Sequence, residues 1–396
     1  MKPLVYSLLP RPPHPTRDGG AIRNYHLLQG LGRRFRLRCF VLVAPHLAGE
    51  PGEYPEGAAV ETIPQADRRA RAAASFAATA FSAEAYPILL YRSRALRQRL
   101  ADSAAREAPA GVVAHGFHAG MLSLDAGMPV WVDLHNVESE IWERMATTAS
   151  STARRLFAGW QAPRVVAAER RLLSRVSGAS CVSGRDAAAL TRLSGGAAPV
   201  VVANGVDLAR YSFRAEPPGS ERVFFVGDLS WAPNAEGVRW FARSVWPLLS
   251  QRRPQATVEV LGRRAPADLE SFAGPRFAFA GEGGDTRPHW RQAAVAVVPL
   301  LAGGGTRLKI LEAAACGVPV VSTSVGAEGL SFVEGEEILR RDEPEAFAEA
   351  VANLLADSGL RSRMAAAARR RVDQEYGWGP LGERFADAVA RKVPGS

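Results

Sequence analysis

Cysteine is scarce in this 396-residue chain, and Cys39, Cys181 and Cys316 are the whole complement. An odd, scattered set with no CxxC pair excludes a disulfide framework and offers no zinc site. No apolar run reaches the roughly 18–20 residues of a membrane-spanning helix. Prolines cut the opening apolar stretch too short for a secretory leader. The expected setting is a reducing cytoplasm, with peripheral attachment to the inner face of the membrane as a further option. Lysine is almost missing as well: only Lys2, Lys309 and Lys392 occur among 49 cationic residues. Arginine carries nearly all the positive charge, a skew that fits GC-rich coding. The one internal lysine, Lys309, therefore stands out.

Several nucleotide and catalytic motifs are absent. No lysine follows a glycine, so there is no Walker A loop. No GxGxxG spacing marks a dinucleotide fold, and no GxSxG elbow marks a hydrolase. No DxD pair occurs, which leaves a carboxylate-bound Mg²⁺-diphosphate without a candidate; no metal and no cofactor are expected.

What is present is ordinary globular material, 47% hydrophobic and 22% charged, in a length that suits two to three domains. The net charge of +9 points to polyanions, an anionic membrane surface or phosphate-bearing substrates. Residues 4–9 read as a strand, 10–15 as a Pro-rich loop, 21–31 as a helix and 37–43 as a strand. Such a βαβ opening implies a parallel sheet. Further strands are predicted at 111–113, 130–134, 179–183 and 199–202. The pattern restarts with strands at 221–226, 257–261, 277–280, 295–299 and 318–323, and a helix over 234–249. Asn204-Gly205-Val206-Asp207 has the turn chemistry of a junction. Two α/β domains are expected, 1–204 and 205–372. Ligands of parallel sheets lie at strand carboxyl ends, here predicted to be the cleft between the domains. Between 67 and 107 lies an Ala-rich helical stretch dominated by arginine. It reads as a solvated basic face or as a surface for a membrane or polyanion, with Tyr86 and Tyr91 at the interface.

One segment carries chemistry. Residues 299–319 read strand, triple glycine (Gly303, Gly304, Gly305), then a helix from about Thr306 to Cys316, stopped by Gly317 and Pro319. Glycines before a helix let backbone N–H groups approach an anion, and the helix N-terminus adds positive potential. Arg307 and Lys309 in the first turn oppose the dipole unless an anion is bound. Glu312 lies one turn beyond Lys309, placed to accept hydroxyl hydrogen bonds or to form a plain Lys309–Glu312 helix pair.

The run from Leu308 to Pro319, with its Glu-Ala-x-Ala-Cys-Gly-x-Pro core, resembles glycosyltransferase family 4. The similarity extends over nearly the whole chain. Gly19-Gly20 resembles the N-terminal glycine loop, His135-Asn136-Val137-Glu138 a histidine-bearing strand end, and Glu169-Arg170-Arg171-Leu172 with Val182-Ser183 the last unit of the N-terminal domain. Asn204–Asp207 resembles the junction, and Val226-Gly227 the start of the donor domain. Two positions depart from the pattern. The first of the family's paired glutamates is replaced by Gly304, leaving Glu312. The Gly-Arg…Lys-Gly phosphate clamp is also missing after Gly227, with Arg307 and Lys309 as replacements. The subgroup it resembles is associated with exopolysaccharide assembly.

The resemblance implies a GT-B fold: two Rossmann-like domains whose parallel sheets face a cleft, with a C-terminal segment (373–396, helix 381–392) returning to the first. It implies sugar transfer from a nucleotide-diphosphate donor with retention of configuration. Gly19, Gly20, Gly227, Gly304, Gly305, Thr306, Arg307, Lys309, Leu311 and Glu312 would bind the donor, and residues 281–283 would line the base pocket. His115, with Arg307 and Lys309, would act in catalysis; His118, His135, Asn136 and Glu138 would face the acceptor. A structural role remains the alternative for His115 and His118, and His289 reads as a packing residue. The acceptor would be a saccharide, a lipid-linked molecule or a small molecule, and the protein a monomer or homodimer with no nucleic-acid partner. Two other readings stay open: an epimerase of the same fold, and a non-catalytic basic membrane-peripheral protein with a degenerate nucleotide site.

Overall fold

The structure is a computed structural model that describes residues 2–14, 19–47, 52–148, 151–263, 265–281, 284–302 and 306–393. The chain forms two compact units, Met1–Ala203 with Trp378–Ser396, and Asn204–Gly377.

The first unit is built on seven parallel strands: β1 (Leu4–Leu9), β2 (Arg36–Val43), β3 (Ala59–Pro64), β4 (Gly111–His115), β5 (Val130–Leu134), β6 (Gly178–Cys181) and β7 (Val200–Val201). Their order is β3-β2-β1-β4-β5-β6-β7. Side chains alternate across a strand, and here both faces are covered, so the strands read as continuous apolar runs. Tyr6 and Leu8 pack with Phe40, Val112 and Val132 on one face. Val5 and Leu9 pack with Val41, Val113 and Trp131 on the other. Phe385 and Val389 of the last helix, Trp378–Ala390, complete that second layer. This helix lies against Gly19–Arg34 so closely that a Cβ on Gly30 would sit 2.4 Å from the Gly382 carbonyl oxygen. Glycine is required there. The helix Ser358–Glu375 keeps its residues in the second unit, so the chain re-enters the first at Trp378, later than the 373 expected.

The second unit has six parallel strands: β8 (Arg222–Val226), β9 (Thr257–Leu261), β10 (Phe277–Phe279), β11 (Val295–Val298), β12 (Val320–Ser322) and β13 (Leu339–Arg340), in the order β10-β9-β8-β11-β12-β13. Both sheets reverse their winding once, between β1 and β4 and between β8 and β11. The carboxyl ends of those four strands are the places where such sheets hold ligands.

Some local expectations need correction. The basic stretch is three helices, Arg68–Thr79, Tyr86–Tyr91 and Arg94–Arg106. Prolines and caps divide it: Pro87 opens the second, and the Ser93 side chain accepts from the Leu96 amide to start the third. The helix predicted over 234–249 begins at Ala232 and passes through a wide π turn, Phe241–Val245, before Trp246–Arg252. The edge strand β3 has mostly exposed side chains and so lacked a hydrophobic signal. The three cysteines are buried and free. Among the described residues no helix is long and apolar enough to cross a membrane.

Candidate functional site

In the second unit the reversal between β8 and β11 brings four segments together. β8 ends at Val226, and Gly227 follows it. A Cβ on Gly227 would lie 2.8 Å from Lys309 Nζ and 2.7 Å from Asn234 Nδ2, so only glycine lets the lysine reach this strand end. Asn234 is nearly buried near the start of the helix Ala232–Trp240. Its Nδ2 donates to the Asp228 carbonyl (2.9 Å), and its Oδ1 accepts from Lys309 Nζ (3.0 Å). The ammonium also lies 4.0 Å from the Phe225 ring centroid. Asp228 is engaged elsewhere: its carboxylate accepts from the Ser230 amide and hydroxyl and from Arg263. Among the described residues Lys309 has no ion-pair partner. Burial first, then the neighbouring Arg307, pushes its pKa down to about 7.

The helix after β11 is Leu308–Cys316, starting later than expected. Arg307 takes an extended backbone and occupies the N-cap position, while Lys309 is the second helical residue. No acidic residue sits in the first turn. Arg307 is almost fully buried, and its guanidinium lies over the Trp231 ring, 5.6 Å from the centroid. Thr306 Oγ1 is buried with no hydrogen-bond partner among the described residues. Gly303, Gly304, Gly305, Glu282 and Gly283 lie outside the described residues.

Glu312 does not pair with Lys309. Its Oε2 accepts from Trp290 Nε1 (3.2 Å), and the Tyr211 hydroxyl, which bonds to Thr286 Oγ1 (3.2 Å), lies close enough to help hold its charge. Burial raises the Glu312 pKa, and these two donors oppose the rise. Leu311 faces the core. Two cations thus gather at a helix start, and one carboxylate one turn on is held by an indole. Sequence reasoning missed Asn234, Trp231, Trp290 and Tyr211; a tryptophan beside His289 was the one available signal. His289 itself stacks on Phe224 and lies 3.0 Å from Glu259, a packing position.

In the first unit, Gly19 and Gly20 open the helix Gly19–Arg34 beyond β1. His115 ends β4 but is fully buried, with Nε2 3.5 Å from Ser7 Oγ and its ring near Phe385. Burial pushes its pKa down to about 4. No part of its side chain reaches solvent. His118 packs on Tyr91 (4.2 Å between centroids) and lies 3.9 Å from Glu138. Burial also holds its pKa down to about 4.

His135 lies 3.3 Å from Asp133, a residue the sequence reading overlooked. Asp133 is fully buried at the end of β5, and Arg23 clamps it with two 2.7 Å hydrogen bonds. Ser180 donates to it as well (2.6 Å). Despite burial, Arg23 and then His135 hold the Asp133 carboxyl far below the usual range. Arg23 also donates to the Val202 carbonyl (2.8 Å). Asn136 is exposed. Glu138 begins the helix Glu138–Thr148, where the buried Glu169 accepts from the amides of Glu138 and Ser139. Burial, then Glu169, raises the Glu138 pKa to about 7. Among the described residues no cluster of three or more His, Cys, Asp or Glu could hold a metal ion.

Residues 220–357 match the profile of the family described as "Glycosyl transferases group 1". The chain is 32% identical over 234 residues to the D-inositol 3-phosphate glycosyltransferase of Kineococcus radiotolerans, covering 49% of this chain and 52% of that one. The curated relatives it matches are spanned over about half of their length or less. Among solved structures, sucrose-phosphate synthase from Thermosynechococcus elongatus superposes with a TM-score of 0.73 at 16% identity, covering 99% of this chain and 100% of that one. Anabaena HepE, solved in complex with UDP-glucose, gives 0.67 at 15% identity, with 98% and 99% covered. Residues 220–357 thus resemble a glycosyl transferases group 1 domain, in a chain whose two parallel-sheet units have the GT-B fold.

Proposed function

We propose that the protein is a retaining glycosyltransferase of the family 4 type, using a nucleotide-diphosphate sugar. One observation carries the reading. Lys309 lies at a helix N-terminus, beside Arg307, with a neutral amide as its hydrogen-bond partner and no ion pair among the described residues. Such a lysine is stabilised by an incoming anion. In the proposed reaction the bond from the anomeric carbon to the diphosphate breaks while the acceptor oxygen bonds to that carbon. The acceptor hydroxyl proton passes to the departing phosphate oxygen on the same face. Lys309, Arg307 and the helix N-terminus stabilise the charge that grows on the leaving diphosphate. Glu312, oriented by Trp290, accepts from ribose hydroxyls. UDP and UDP-glucose, bound by the similar HepE, are the first donors to try. His118, His135, Asn136 and Glu138 are proposed to serve the acceptor, in polysaccharide, glycolipid or glycoconjugate synthesis.

The two cations meet the diphosphate charge, so the reaction is proposed to need no divalent metal. The test is a panel of nucleotide sugars screened by thermal stabilisation and then by release of nucleotide diphosphate in excess chelator. Stabilisation by a donor with chelator-resistant turnover supports the reading. A donor that is epimerised without release, or no stabilisation by any donor, overturns it.

A further inference from the structure

A second surface, made of other residues of the first unit, displays large apolar side chains to solvent. Phe81 is 95% exposed, Leu156 71% and Phe76 59%. They gather where the helix Arg68–Thr79 and the turn after it meet the helix Thr152–Arg175. The Phe76 and Phe157 rings are 5.2 Å apart. Arg164 donates to the carbonyls of Thr79 and Ser82 at 3.0 Å each, fixing the turn that carries Phe81. The same guanidinium covers the partly exposed Trp160, 4.1 Å from its ring. Leu156 and Trp160 are one turn apart on that helix. Monomeric surfaces rarely expose such a set together without a partner.

The two segments that carry it are strongly basic. Residues 67–82 and 151–175 hold nine arginines and two carboxylates. Asp67 caps its own helix, and Glu169 is buried beneath another. Further along the long helix, Arg171 and Arg175 line a pocket of about 200 Å³ with Arg92 and Arg97, where Arg171 pairs with Glu84 and Arg175 with Asp125. Arg92 and Arg97 form no ion pair among the described residues. Tyr86 and Tyr91 are half-buried and pack on Phe157 and His118.

We infer that this face docks on an anionic lipid bilayer, with Phe76, Phe81, Leu156 and Trp160 at the headgroup level and the arginines on lipid phosphates. The combination of exposed apolar side chains and a basic rim is what an interfacial surface needs. A second copy would set the same arginines against themselves. A polyanion in solution would leave Phe81 and Leu156 in water.

The test is sedimentation of the full chain with phosphatidylglycerol vesicles and with phosphatidylcholine vesicles, at low and moderate salt. Preferential, salt-sensitive binding to phosphatidylglycerol is expected. Phe81→Ser with Leu156→Ser should lower that binding at least about tenfold. Arg68→Gln with Arg69→Gln should lower it on the order of fivefold per arginine. Nucleotide-sugar stabilisation, measured on each variant, should be unchanged, which verifies folding and separates this inference from the proposed donor site. No binding to phosphatidylglycerol at low salt, equal binding to both vesicles, or variants that bind like the parent would overturn it. So would a dimer in vesicle-free solution that the Phe81 and Leu156 changes dissolve.

Discussion

Replacing Lys309 by methionine removes one positive charge while keeping much of the stem that lies against Phe225. In the bound state a diphosphate oxygen about 4 Å from Nζ would interact by roughly 4 kcal/mol at an effective dielectric near 20. Loss of one preorganised donor of this kind costs about 2.7–4 kcal/mol, or about 10²–10³ in rate. The two figures agree, so Lys309→Met is expected to slow turnover by that factor. The free protein should lose no stability. The Lys309 pKa, pushed down to about 7 from an ordinary value near 10.5, means the unfolded chain binds a proton that the folded chain lacks between those values. This group therefore makes stability rise as pH increases from about 7 towards the usual lysine range, and Lys309→Met should flatten that slope. Binding of the anionic donor should restore the proton. Calorimetric titration near pH 8 in buffers of different ionisation enthalpy should then report proton uptake, absent in the variant. Parent-like turnover in a folded Lys309→Met protein, or uptake unchanged by the substitution, would refute the argument. Lys309→Arg should not rescue, because a planar fork does not fit the position of a compact ammonium between Asn234 and Phe225.

Glu312→Gln should weaken nucleotide affinity about 10- to 100-fold, as a charge-assisted hydrogen bond to ribose is lost, with the fold retained by thermal melting. Gly227→Ala should displace Lys309 or Asn234, since the added Cβ would approach both within 3 Å. Turnover should drop with only a modest change in melting temperature. Arg23→Ala leaves Asp133 buried without its guanidinium and should destabilise the first unit by about 3–5 kcal/mol. Denaturant unfolding of this variant, and of Arg23→Met with Asp133→Leu, checks the assignment: the double change should recover much of the loss.

The alternation of apolar runs with turn residues determined the parallel α/β class, the restart near residue 205 and the helix that follows the triple glycine. These are local patterns, and the period of a strand or helix is written in consecutive residues. Edge strand β3 carried no such pattern because one-sided exposure leaves no apolar run. The π turn at 241–245 is a matter of one hydrogen-bond register, which periodicity does not resolve. At the candidate site, the sequence singled out Lys309 by its rarity and Glu312 by its spacing. It paired them as helix neighbours, and only the packing separated them: Lys309 to Asn234, brought from the helix after β8, and Glu312 to Trp290, brought from the helix before β11. The Arg23–Asp133 clamp joins residues 110 positions apart, and His115 was drawn into the core by the helix Trp378–Ala390 laid over β4. Partners so distant in sequence share no local signal, because the sheet order that makes them neighbours is settled by burial of both faces of the sheet. For the same reason the sequence marks a basic stretch without ordering its aromatics. Which of its aromatics pack inward and which face water depends on the helix Thr152–Arg175, which lies outside that stretch.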